Sequence, residues 1–338
     1  MSGVTGAPPP LSPAAIARRS ADDAAYLRGV LLVVLAGSFW SLGGILVRLV
    51  EAAGAWQIIF YRSAALIPTL ALIMAVRHGG GGGRWFLATF RAAGRNGLAA
   101  GALQAAASVA FILALQHTTV ANTLFMLGGA PFLGALLGWV VLGERVRRAT
   151  WFAMALAFIG VAVMVGNGVA LGTAIGNLYA LTAGVCFAGF SVLLRRGRET
   201  DMMPCALYAG VCGSLLAALF ILLAPELGAP DRSGGGGDGG GGGGFAVTPR
   251  DLALCATMGV VQLGMGMTAY VLGARHVPAA ELTLLSMVEL MLGPIWVWLG
   301  VGEVPSPLTL VGGGIIMAAI AFQALSGARR RRSPPGLV

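Results

Sequence analysis

The chain predicts an all-α integral membrane protein with ten transmembrane helices as two inverted five-helix repeats, and three observations carry that expectation. Of its 338 residues, 57% are apolar and only 10% charged, and mean hydropathy is +0.84. A surface facing water carries far more charge than that. The apolar residues fall in blocks of about 20, the length at which a helix crosses a bilayer core. The second half of the chain also repeats landmarks of the first, a common basis of transporter architecture. Roughly ten such blocks fill most of the chain and leave no room for a large soluble catalytic domain.

In chain order, residues 1–28 read as a Pro/Ala-rich cytoplasmic tail carrying Arg18, Arg19, Asp22, Asp23 and Arg28. It has no apolar h-region, so no cleavable signal is expected and the first span directs insertion. Apolar runs predict spans at 29–50, 55–76, 97–116, 119–142 and 151–165, forming a first repeat over 29–167. A second set at 173–194, 204–223, 252–272, 277–300 and 308–325 forms a second repeat over 168–325. The fifth and tenth are short; ten is the favoured count and nine the alternative. Pro131 is expected to bend the fourth helix and Pro294 the ninth. The glycine tract 79–83 and the Gly-rich loop 231–244 bury no core and read as flexible spacers. Neither follows a strand or precedes a Lys-Ser/Thr pair, which a phosphate-binding loop requires. A basic cytoplasmic tail, 326–338, follows the last span.

The repeat is explicit in the residues. Gly134, Trp139, Gly143 and Glu144 recur 159 positions later as Gly293, Trp298, Gly302 and Glu303, and His117 recurs as His276. At an offset of 147, Gly29, Ala36, Gly37, Arg48 and Tyr61 match Gly176, Ala183, Gly184, Arg195 and Tyr208. An odd number of crossings per half makes the second copy enter from the opposite side, and the arginines agree. All 22 basic residues are Arg. Arg145, Arg147 and Arg148 follow Gly143-Glu144, whereas Val304, Pro305 and Pro307 follow Gly302-Glu303. With the N-terminus cytoplasmic, 18 of the 22 arginines fall in cytoplasmic segments, only Arg232 and Arg250 fall in an outer loop, and both termini are cytoplasmic. This distribution orients helices in a plasma membrane and does not indicate a nucleic-acid partner.

The run ALQHTTVANTLFMLGGAPFLGALLGWVVLGERV (114–146), with FWSLGGILVR (39–48) and FYRSAAL (60–66), resembles the EamA-type transporters of the drug/metabolite transporter superfamily. The likeness covers both halves, about 29–325. It implies ten helices as two inverted repeats, a central cavity between them, and movement of small organic solutes, often outward. The second copy departs from the family's usual Glu-Pro pair: Glu289 is present, Leu290 stands where Pro would be, and Pro294 comes four residues later. Since Leu290 is also the repeat counterpart of Pro131, the two halves are expected to bend unequally.

Ionisable groups inside apolar spans are costly, so each calls for a partner or a cavity. Glu289 lies midway through the ninth span, with Ser286 and Gly293 on its helical face. It is either a cavity-facing carboxyl for a proton or a cationic substrate group, or a neutral hydrogen-bonding group between helices. Arg62 in the second span could neutralise an anionic substrate, pair with Glu289, or anchor backbone carbonyls. Its repeat equivalent is Ala209, so the repeat fold does not need the charge. Trp40, Tyr61, Gln104, Asn122, Tyr179, Tyr208, Gln262, Tyr270 and Trp296 are candidates to line a pathway, although Trp and Tyr also serve as interfacial anchors. Glu144 and Glu303 sit at span ends, where a carboxylate reaches water or a helix N-terminus, and read as structural. His117 and His276 occupy separate loops without a third ligand, so no metal is expected. Cys186, Cys205, Cys212 and Cys255 fall in apolar segments and read as small core hydrophobes. Four-residue glycine pairs at 97/101, 134/138 and 172/176 allow close helix approach.

These residues favour a secondary transporter, read as an exporter of small organic metabolites by alternating access. The alternative is a passive channel or lipid-moving protein of the same fold. An enzyme is not expected: HExxH and GxGD are absent, as is a Ser with a plausible His base. No nucleotide signature suggests ATP coupling, and no cofactor is expected. The expected partners are a small-molecule substrate and membrane lipids, with a homodimer left open.

Overall fold

The structure, a computed structural model, describes residues 13–77, 84–143, 148–170, 173–197, 200–223, 244–274, 276–277 and 285–331. Every regular element among them is helical. In chain order these are α1 (Pro13–Arg48), α2 (Ala55–Arg77), α3 (Arg84–His117), α4 (Val120–Leu127), α5 (Ala130–Leu142), α6 (Arg148–Ala170), α7 (Ala174–Arg196) and α8 (Met203–Leu223). The eighth predicted span is α9 (Pro249–Thr257), a π-helical stretch π1 (Met258–Met265) and α10 (Gly266–Ala274) in unbroken succession. The last two are α11 (Val288–Val301) and α12 (Pro307–Arg331).

Eight helical stretches are long and apolar enough to cross a membrane, and Val288–Val301 and Pro307–Phe322 are apolar but shorter. The fifth span, expected to be short, runs over Arg148–Gly166 and is long enough. The ninth is cut by a turn at Met287. The long helices present exposed Leu, Val, Ile and Phe side chains outward, such as Leu72, Phe152, Ile159, Leu219 and Leu310. So much exposed apolar surface fits lipid and not water. The protein is an all-helical integral membrane protein.

Other boundaries differ from the sequence expectation for physical reasons. The 1–28 tail is helical from Pro13 and merges with α1, because its Ala-rich stretch propagates a helix readily. Helix also begins at Arg84, ahead of the expected third span, and kinks at Gly94 (φ 52°, ψ −149°). The 326–338 tail is helical as far as Arg331. The tract 79–83 and Glu144 lie outside the described residues, as does the 231–244 loop up to its last residue.

The fourth span is interrupted at Gly128 and Gly129, within the turn that precedes Pro131, which has no N–H to bond back to Leu127. Pro131 falls in the first turn of α5, where its missing N–H costs nothing. The matching turn at Met287 forms without a proline at position 290. The Leu290 amide bonds back to the Met287 carbonyl at 3.0 Å. Pro294 lies within α11, beyond the break. Both broken spans end alike: Gly143 (φ 66°) and Gly302 (φ 70°), 159 positions apart, are left-handed C-caps. An L side chain is disfavoured in that conformation, which explains why both are Gly.

The two halves of the chain interleave. Helix α3 packs on α7 and α8, α2 on α8 and π1, α1 on α10 and α11, and α6 on α12. Gly101 makes the α3–α8 approach possible, because a Cβ there would stand 2.5 Å from the Tyr208 Cβ and 2.7 Å from the Cys205 carbonyl. Side-chain bonds gather the helix ends onto one face. The Asp251 carboxylate at the start of α9 accepts the amides of Glu51, Ala52 and Ala53 between α1 and α2 at 3.2, 2.8 and 2.9 Å. Arg48 at the end of α1 meets Glu303 beyond α11, and Gly176 of α7 packs on His117 and Thr118.

Candidate functional site

The interior is hollow where the two interrupted spans meet. A Cβ on Gly128 would stand 2.6 Å from the Leu290 side chain, so the break between α4 and α5 lies directly against the start of α11. Leu127, Met287 and Leu290 all face a cavity of about 690 Å³, the space at its mouth included. Trp40 from α1, Arg62 from α2, Gln104 and Ser108 from α3, Gln262 from π1 and Glu289 from α11 supply its polar wall. Phe111 and Phe187 are among the apolar residues that complete it.

Arg62 is 1% exposed, and its Nη2 donates to the Ser108 carbonyl at 3.0 Å and to Ser108 Oγ at 2.6 Å. Its Nε has no partner. Thus it anchors an α3 carbonyl, one of the expected roles, and lines the cavity as well. Glycine at 259 makes this possible, since a Cβ there would sit 2.4 Å from the Arg62 carbonyl and push π1 off α2. The π-helical register carries Gln262 into the cavity wall, a placement that such turns often serve.

Glu289 does not sit at mid-helix. The turn at Met287 puts it in the first turn of α11, half-buried and facing the cavity. Its carboxyl therefore lies at the end of α11 that carries the partial positive charge of the helix dipole. Among the described residues the ion pairs are Arg48 with Glu303 and Arg250 with Glu51. Arg62 and Glu289 therefore face one cavity without pairing. Trp40 Nε1, Gln104 Oε1 and Gln262 Oε1 are likewise buried without a hydrogen-bond partner. Buried polar groups are nearly always satisfied, so five polar side chains in one hollow, each with unused bonding capacity, suit a bound polar solute.

The other pathway candidates stand elsewhere. Tyr61 donates its hydroxyl to the Phe245 carbonyl at the face where Asp251 lies. Asn122 is buried in a polar knot, donating to Asn177 Oδ1 and to Thr118 Oγ1 at 3.0 Å. Tyr208 packs edge-on against Phe90, and Tyr179 stacks on His117. Tyr270 is fully buried behind Trp40, with ring centroids 5.0 Å apart. Trp296 donates to Ser41 Oγ at 3.0 Å. Sequence reasoning missed Ser108 and Phe187; Ser108 stood four residues after Gln104, on the same helical face. It also missed Arg48 as Glu303's partner, although Arg48 is an arginine at the end of a predicted span.

Comparison with known proteins gives the same direction. The EamA-like transporter family matches the chain twice, over residues 27–166 and 174–325. The pseudopaline exporter CntI of Pseudomonas aeruginosa is 26% identical over 293 residues, covering 86% of this chain and 94% of its own. A probable terminal-alkyne amino-acid exporter of Streptantibioticus cattleyicolor is 29% identical over 233 residues, 65% of this chain and 70% of its own. A crystal structure of a protein 17% identical in sequence superposes with a TM-score of 0.58 over 90% of this chain and 98% of that one, which shows a shared fold.

Proposed function

We propose that this transporter, which belongs to the EamA-like transporter family, exports small organic metabolites across the cytoplasmic membrane by alternating access. Two inverted five-helix repeats rock about the cavity, with both termini cytoplasmic. The paired left-handed caps at Gly143 and Gly302 and the gathering of alternate helix ends on one face support that arrangement. The observation that carries the reading is the cavity itself. Arg62 and Glu289 enter it from different halves as unpaired groups of opposite sign, and Gln104, Gln262 and Trp40 offer unused hydrogen-bonding atoms. A dipolar solute complements this wall, its carboxylate on Arg62 and its cationic group on Glu289. That two relatives are named as exporters, one of them of an amino acid, supports outward movement of such solutes.

The test is counterflow in proteoliposomes. Vesicles loaded with a zwitterionic amino acid should take up the labelled compound transiently against its gradient, saturably, and lose the effect with Arg62→Met. Flux that never saturates and shows no counterflow would mean a channel, and movement of labelled phospholipid alone would mean a lipid-moving protein.

A further inference from the structure

We infer that Arg48 and Glu303 form a bolt that holds one mouth of the cavity shut and must open once in each transport cycle. The inference rests on the transporter reading above. Arg48 Nε donates to Glu303 Oε2 at 2.7 Å, while its Nη1 and Nη2 donate to the Leu115 and Thr118 carbonyls at 2.7 and 2.8 Å. The other Glu303 oxygen accepts the Val120 amide, the first of α4, at 2.6 Å. One ion pair thus joins the end of α1, the turn between α3 and α4, and the end of α11.

Each of those segments leads to the cavity wall. Trp40 lies 8 residues before Arg48, Phe111 lies 4 before Leu115, Leu127 lies 7 after Val120, and Glu289 lies 14 before Glu303. At a rise of 1.5 Å per residue the bolt stands about 12, 6, 10 and 21 Å from these positions along the four helices. In all four it lies on the same side, the face where α1 ends, which is the outer face in the proposed topology. Separating α1 from α11 at that face breaks the bolt. It ties the 27–166 stretch to the 174–325 stretch, whose relative movement alternating access requires.

The composition of the bolt suits a contact that is broken and remade. Its side chains are 26% and 19% exposed, so water can take over their charges when they part. The nearby tie through Asp251 has the opposite character. That carboxylate is in a residue 1% exposed and holds three backbone amides, so it acts as a permanent staple between α9 and the turn after α1.

The experiment places a reporter cysteine at Ala107 in the cavity wall, with Cys186, Cys205, Cys212 and Cys255 replaced by Ser. An impermeant thiol reagent is applied to right-side-out and to inverted vesicles, and counterflow is measured in the same preparations. Arg48→Gln and Glu303→Gln should each raise the labelling rate from the face where α1 ends by at least about tenfold, the shift that loss of a charge-assisted contact produces. Labelling from the other face should fall or hold. If a Gln variant fails to fold, Arg48→Cys with Glu303→Cys joined by a short reducible bifunctional thiol reagent replaces it. Joining should stop counterflow and reduction should restore it. Labelling unchanged by the Gln substitutions, labelling raised equally from both faces, or full counterflow in the joined protein would each overturn the bolt. Absence of counterflow in the parent protein would instead overturn the transporter reading.

Discussion

Replacing Arg62 by Met, which is unbranched and apolar, should weaken solute binding while leaving the fold intact. The structure allows the opposing contributions to be weighed. Arg62 gains two hydrogen bonds to Ser108, at 3.0 and 2.6 Å, each worth about 1.5–3 kcal/mol with a charged donor. Against them stands the burial of a guanidinium that has no carboxylate partner and an unpartnered Nε, and desolvation of a buried ion costs several kcal/mol. Losing both sides together should therefore shift stability by no more than about 1–2 kcal/mol in either direction, within the range of ordinary point mutants. A bound carboxylate, by contrast, loses a charge-assisted contact worth about 1.5–3 kcal/mol, an affinity drop of about 10- to 150-fold. Thermal unfolding in detergent reads the first quantity, and the concentration dependence of counterflow reads the second. A large drop in melting temperature with unchanged affinity in the surviving protein would refute the reasoning. Arg62 would then be a strut between α2 and α3.

Three further outcomes are expected. Glu289→Gln should preserve expression and saturable binding of an anionic solute yet remove any dependence of transport on an imposed pH gradient. A mid-span acid costs about 2.5–3.5 kcal/mol on insertion scales, of which the helix terminus returns about 0.3–2, so a proton is the natural partner when no cation is bound; wild-type gradient-driven transport in the variant would make the carboxyl a structural group. Gly101→Ala should destabilise the protein by about 1–3 kcal/mol, because the new Cβ meets the Tyr208 Cβ at 2.5 Å and a backbone carbonyl at 2.7 Å; an unchanged melting temperature would show that α3 and α8 can part freely. Cysteines at Val304 and Arg196 should be labelled from opposite faces of the membrane, and labelling from the same face would defeat the alternate crossing of the helices.

The sequence by itself determined the membrane class, the family and the internal duplication, because these depend on quantities summed along the chain. Apolar block length decides what can cross a bilayer, and recurring Gly-Glu pairs reveal the repeat without any contact being known. It also determined that Arg62 and Glu289 are the costly groups, since the price of an ion in hydrocarbon is local. Tertiary structure decided which polar side chains share a space. Trp40, Gln104 and Gln262 turn into the cavity, while Tyr61, Asn122 and Tyr208 bond or pack away from it. A helical period gives the face of each residue within its own helix, but not which neighbour that face meets. The turn at Met287 was equally hidden, because no proline or glycine marks it. It forms where α11 packs against the glycine break of the fourth span, and it moves Glu289 from mid-helix to a helix N-terminus. Arg48 and Glu303 are 255 positions apart, and only the folding of α1 against α11 brings their charges within 2.7 Å.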